Sequence, residues 1–137
     1  MSRPDVRVLE TVTSPRALDE IQQTLDDLWL EHPEVPESIR TELSIATGEI
    51  AANIVQHAAG GREIPLRMEV RLVPAGVRSA FTDHGAFFAQ VDLDAITAVD
   101  DMAERGRGLA LAKLVLSQLS YRRDDGGNHW TLVSKAF

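Results

Sequence analysis

The sequence predicts a two-layer α/β sandwich, in which a mixed, mostly antiparallel sheet is covered on one face by helices. Three observations carry that expectation. Apolar residues recur with a helical period through much of the first half of the chain, and pairs of β-patterned segments around glycine-bearing turns follow. A helix stripe and a sheet face each need apolar cover, and packing one on the other satisfies both. The chain has 137 residues, 44% hydrophobic and 26% charged, which suits a single domain with one core spanning 1–137.

Arg7 to Val12, led in by Val6 and including Val8, reads as the first strand. Ser14 and Pro15 open a helix as N-cap and first helical residue. Leu18, Ile21, Leu25, Leu28 and Trp29 recur at helical spacing as far as Glu31. His32-Pro33 stops this helix, because the residue before a proline is steered out of the helical region. Pro36 starts a second helix reaching His57 or Ala58, with Ile39, Leu43, Ala46, Ile50 and Ile54 as its apolar stripe and Gly60-Gly61 as its end. Ile64 to Val73 and Val77 to Thr82 read as an antiparallel pair around Pro74-Ala75-Gly76. Asp83 to Arg105 is the least regular stretch, with a short helix expected from Asp92 onward. Gly108 to Leu119 reads as a helix with Leu109, Ala112, Leu116 and Leu119 on one face. Ser120 to Arg123 and Trp130 to Phe137 read as a hairpin around Asp125-Gly126-Gly127-Asn128, with the last strand inside the sheet.

Composition narrows the function classes. There is no cysteine, which excludes disulfides, thiolate metal sites and a cysteine nucleophile. The net charge of −7, from 14 basic and 21 acidic residues, argues against broad contact with nucleic acid. No apolar run approaches the ~20 residues that span a bilayer, and the N-terminal Met1-Ser2-Arg3-Pro4-Asp5 lacks a signal-peptide core. A cytoplasmic protein without membrane contact is expected. The four histidines have no metal-ligand spacing, and no serine sits in a nucleophile elbow.

Three short motifs carry chemistry. Glu49 and Asn53 are four residues apart and share a face of the second helix. Taken alone, such a pair is usually a solvated face. Here Asn53 sits among Ala51, Ala52, Ile54 and Val55, where a poor helix former needs a reason to be present. Asp83-His84-Gly85 ends a strand, so its carboxylate can accept from an exocyclic amine while the glycine lets a flat base approach. A plain Asp-x-Gly turn looks the same. Gly106 and Gly108, in Glu104-Arg105-Gly106-Arg107-Gly108-Leu109, precede a helix and can offer N–H groups to phosphates. Arg105 and Arg107 bring positive charge to the same loop, either for phosphates or to balance Glu104 and nearby acids.

Order, spacing and element types together resemble the GHKL-type (Bergerat-fold) ATPases, the histidine-kinase-like ATPase domains. Within that group, Gly48-Glu49-Ile50-Ala51-Ala52-Asn53-Ile54-Val55-Gln56-His57-Ala58, the Glu104 to Leu109 run and the ending Gly126-Gly127-Asn128-His129-Trp130-Thr131-Leu132 resemble the anti-sigma-factor serine/threonine kinases. The likeness covers nearly the whole chain. It implies ATP and Mg²⁺ as cofactors. Glu49 is then the general base toward an acceptor serine, Asn53 the Mg²⁺ ligand, and Asp83 the reader of the adenine amine beside Gly85. Arg105, Gly106, Arg107, Gly108 and Leu109 surround the phosphates, Thr131 lies beneath the adenine, and about Ala86 to Arg105 forms the ATP lid. Ala86-Phe87-Phe88 departs from the family, which often has a second glycine there. The implied function is an ATP-dependent kinase that phosphorylates an anti-sigma-factor antagonist protein, sequesters a sigma factor and works as a homodimer. The alternative is a non-catalytic ATP-binding partner-switching module. Glu49 favours the kinase, because a pure binder has no need of that carboxylate.

Overall fold

A computed structural model describes residues 5–57, 62–74, 76–85 and 104–137, without the side chains of 104–107. The elements run β1 (Val6–Val12), α1 (Pro15–Glu31), α2 (Glu37–His57), β2 (Pro65–Val73), β3 (Gly76–Asp83), α3 (Glu104–Val115), β4 (Leu116–Asp124) and β5 (Gly127–Ser134). The strands form one sheet in the order β1-β2-β3-β5-β4. Every neighbouring pair is antiparallel. The expected mixed sheet is therefore corrected, among the described residues, to a wholly antiparallel one. Two hairpins, β2–β3 and β4–β5, meet along their inner strands, and the last strand lies inside the sheet as the sequence predicts. The expected lid, the helix from Asp92, the Ala86-Phe87-Phe88 departure and the Gly60-Gly61 helix end lie outside the described residues.

Burial alternates along the strands, so the sheet has one core face. Leu66, Met68 and Val70 of β2, Val77, Ser79, Phe81 and Asp83 of β3, and Trp130, Leu132 and Ser134 of β5 are buried on it. The helices supply the other layer. Ile39, Leu43, Ala46, Ile50 and Ile54 of α2 are all buried in one cluster with the sheet residues, as the stripe predicts. On α1 the buried set is Ala17, Ile21, Leu25, Leu28 and Trp29, while Leu18 is left at the surface. Among the described residues, no helix is long and apolar enough to cross a membrane.

Local signals set the α1 boundaries. Ser14 is extended (φ −143°, ψ 165°) at the N-cap position, and its side chain makes no capping bond. Its carbonyl instead accepts from Ala17 N at 2.9 Å, and Pro15 supplies a preset helical φ. At the far end His32 N donates to the carbonyls of Leu28 (3.0 Å) and Trp29 (3.2 Å) before Pro33 ends the run.

The third helix differs from the sequence expectation. It spans Glu104–Val115 rather than 108 to 119, and Leu116 begins β4 directly. The cause is a register shift between Leu116 and Gln118, where Leu116 pairs with Ser134 and Gln118 with Val133. One extra residue lets Leu116 and Leu119 both face the core from a strand. Their spacing of three therefore mimics a helix continuing from Leu109 and Ala112.

The β4–β5 hairpin is also longer than the sequence suggests, closing at the Asp124–Gly127 pair. Gly127 has φ +106°, and a Cβ there would overlap the Asp83 carbonyl oxygen and lie 2.9 Å from His84 Nδ1. Backbone conformation and space both require glycine. Gly127→Ala is expected to cost about 2 kcal/mol or more, lowering Tm by roughly 5 °C in thermal denaturation followed by circular dichroism. An unchanged Tm would contradict this close approach.

Candidate functional site

Antiparallel pairing sets Asp83, the last residue of β3, opposite Asn128, near the start of β5. Asp83 is 1% exposed on the core face of the sheet. Its Oδ1 accepts from Gly85 N at 2.7 Å and from Asn128 Nδ2 at 2.9 Å. Its Oδ2 is buried and has no hydrogen-bond partner among the described residues. An unsatisfied buried carboxylate oxygen is costly, on the order of 1–3 kcal/mol or more. What it lacks is a donor, and the exocyclic amine of adenine is one.

In the sequence Asn128 is legible only as part of a turn and of the family-like ending, with no role of its own. In the structure it is fully buried and holds the Asp83 carboxylate. Its Oδ1 accepts from the Tyr121 hydroxyl at 2.5 Å and from Arg123 Nη1 at 3.2 Å. Its Nδ2 reaches the Gly85 carbonyl at 3.3 Å as well as Asp83, and Arg123 Nη1 donates to that same carbonyl at 2.8 Å. These partners fix which way the amide points. The Tyr121 ring in turn packs against Trp130, with centroids 4.8 Å apart and planes at 44°. The missed signal was a register. Pairing the two strands through Phe81 and Trp130 sets the hairpin asparagine against the strand-end aspartate.

The second half of the site is on α2. Asn53 is 7% exposed, and its Nδ2 donates to the Glu49 carbonyl one turn back at 3.1 Å. The amide's other polar atom, Oδ1, is an uncharged oxygen donor of the kind Mg²⁺ accepts alongside phosphates and water. Glu49 is half-buried. A Cβ on Gly108 would overlap Glu49 Oε2 and lie 3.3 Å from its Cδ. Glycine at this position lets the α3 backbone lie against the carboxylate. A buried bond between Thr47 Oγ1 and Ser79 Oγ, 3.1 Å long, ties α2 to β3.

Several expected site residues are placed differently. Gly106 and Gly108 lie inside α3 rather than ahead of it, because the helix begins at Glu104. Arg105 and Arg107 are on the first turns of the same helix, and their side chains lie outside the described residues. The Leu109 side chain, 4% exposed, belongs to the hydrophobic core, so it can serve phosphates through its backbone at most. Thr131 is corrected. It pairs with Ala80 and Ser120, one step out of phase with Phe81, Asp83 and Trp130. Side chains alternate along a strand, so Thr131 points to the sheet face away from Asp83. The β5 side chain beside Asp83 is Asn128.

At the hairpin tip Asp124 accepts from His129 Nε2 at 2.8 Å, from Gly126 N at 2.8 Å and from Arg122 Nη1. The His129 bond first, then the Gly126 amide and the Arg122 bond, lower its pKa from 3.8 to about 2. The folded chain thus keeps Asp124 ionised where the unfolded chain is already protonated. Its stabilising effect is present above about pH 4 and is lost as pH falls toward 2. Carbon-detected NMR titration of the Asp124 carboxyl is expected to show a midpoint near 2. A midpoint at the ordinary value would show that the hairpin clasp does not persist in solution.

The chain matches the histidine kinase-like ATPase domain family over residues 11–134. It is 31% identical over 114 residues to the serine/threonine-protein kinase BtrW of Bordetella bronchiseptica, an alignment covering 77% of this chain and 80% of that relative. The antiparallel sheet, its single helical layer and these matches agree. The chain belongs to the histidine kinase-like ATPase domain family.

Proposed function

We propose that this chain is an ATP-dependent serine/threonine kinase that phosphorylates an anti-sigma-factor antagonist and, in its other binding state, sequesters a sigma factor. Family membership implies ATP binding, and a relative bearing the name of a serine/threonine-protein kinase supports the reaction class. The observation that carries the proposal is Glu49, a carboxylate one turn from Asn53 on α2 and lying against Gly108 of α3.

The residues divide the work. Asp83 Oδ2 accepts from the adenine amine, and Gly85 closes the turn that presents it. Asn53 Oδ1 would hold Mg²⁺, which supplies charge compensation to the phosphates. Glu49 takes the proton of the acceptor hydroxyl as its oxygen bonds to the γ-phosphorus. The bond from that phosphorus to the bridging oxygen breaks, and ADP leaves. The proposed assembly is a cytoplasmic homodimer.

The test incubates purified protein with γ-labelled ATP, Mg²⁺ and the antagonist encoded nearest to it. Phosphoserine or phosphothreonine on the antagonist is the expected product. ATP binding without any transfer would favour the partner-switching module and end the kinase reading. Co-purification with sigma factors of the same genome tests the sequestering role.

A further inference from the structure

We propose that Asn128 is a positioning residue that makes Asp83 select adenine over guanine. The inference rests on the nucleotide reading above and goes beyond it, because it assigns base specificity to a residue outside the expected set.

The argument turns on how many carboxylate oxygens face the base. Guanine presents two adjacent donors, the ring N–H and the exocyclic amine, and a carboxylate with both oxygens available meets them side by side. Adenine presents one amine donor beside a ring nitrogen that only accepts. A second available carboxylate oxygen would face that acceptor and repel it. Adenine is therefore matched by an aspartate showing one oxygen, and guanine by one showing two.

Asp83 shows one. Its Oδ1 is taken by Gly85 N at 2.7 Å and Asn128 Nδ2 at 2.9 Å, while Oδ2 is buried without a partner among the described residues. The Gly85 bond is a local turn within two residues and does not by itself fix the carboxylate plane. Asn128 comes from another strand and cannot swing, since Tyr121 at 2.5 Å and Arg123 at 3.2 Å grip its oxygen. The chain of contacts runs from the Tyr121 hydroxyl through Asn128 to Asp83, and it holds Oδ1 away from the base. Loss of Asn128 leaves the carboxylate able to turn and offer both oxygens.

Calorimetric titration of the full chain with Mg-ATP and Mg-GTP tests this. Wild-type protein is expected to prefer ATP by about 100-fold, two charge-assisted hydrogen-bond differences of roughly tenfold each. Asn128→Ala should weaken ATP about tenfold while GTP holds or gains, so that the preference shrinks by about tenfold or more. Tyr121→Phe keeps Asn128 and removes only its outer restraint, and should shrink the preference by about threefold. A residue needed only for folding would weaken both nucleotides alike. Equal losses in Asn128→Ala therefore overturn the proposal, and if that variant fails to fold, an unchanged preference in Tyr121→Phe overturns it. Wild-type protein binding GTP as tightly as ATP also overturns it and leaves the ATP site standing. Wild-type protein binding neither nucleotide removes the nucleotide reading and this role with it.

Discussion

Replacing Glu49 by glutamine is expected to reduce phosphoryl transfer to the antagonist at least about 100-fold while leaving ATP affinity within about twofold. A positioned general base contributes roughly 10² to 10⁴ in rate, and an amide of the same shape cannot take the proton. The substitution preserves volume, which matters because Gly108 leaves no room for a Cβ between α3 and the Glu49 carboxylate. Glutamine fills the same space, so packing of α2 on α3 is retained. Glu49→Ala loses the same rate and also leaves a gap against α3. The diagnostic pattern is a fall in kcat with KM for ATP unchanged, since the lost interaction is made with the acceptor hydroxyl and not with the nucleotide. Undiminished transfer by Glu49→Gln would remove Glu49 from the reaction. Transfer absent from the wild-type chain as well, with ATP bound, would leave a binder.

Much of the architecture was legible because burial follows period. The α2 stripe predicted from Ile39 to Ile54 is the buried stripe observed. Ser14-Pro15 and His32-Pro33 mark the α1 ends because proline acts through local sterics that tertiary packing cannot override. What misled was a bulge. Leu116 and Leu119 have helical spacing and yet lie in a strand, and periodicity alone cannot tell an inserted residue from a helical turn. In the site, Asn53 stands out as a polar residue in apolar company, Glu49 by sharing its helix face, and Asp83 by ending a strand just before a glycine. Asn128 did not, because a hairpin asparagine is ordinary and its partner is 45 residues away in sequence. Thr131, expected beneath the adenine, lies on the sheet face away from Asp83, because a motif match carries no register and a one-residue offset in a strand exchanges its faces. Gly108, expected at the phosphates, also packs against Glu49 from its position inside α3.

Asp83→Asn is expected to weaken ATP binding about 100-fold or more, and to remove most of the rise in Tm that Mg-ATP gives the wild-type chain. The substitution swaps one carboxylate oxygen for an NH₂ donor. If that donor takes the Oδ2 position, it confronts the adenine amine donor to donor. If the amide turns over, it confronts Gly85 N–H and Asn128 Nδ2 instead, at positions now 2.7 and 2.9 Å from Oδ1. Neither orientation satisfies every group. Losing a hydrogen bond to a charged acceptor costs about 1.5–3 kcal/mol, and opposing two donors adds to it. About 3 kcal/mol corresponds to a change in Kd of roughly 100-fold or more. Ligand stabilisation scales with occupancy, so at ligand near 100 Kd the wild-type chain gains about 2.7 kcal/mol, and the variant at the same concentration gains about 0.4 kcal/mol. Without nucleotide the variant should melt close to wild type, because the buried Oδ2 it replaces has no partner among the described residues and contributes no bond to be lost. That contrast separates a ligand-reading aspartate from one that merely holds the β3–β5 junction together. A structural Asp83 would cost stability in the absence of nucleotide, whereas a reading Asp83 costs it only when ATP is present.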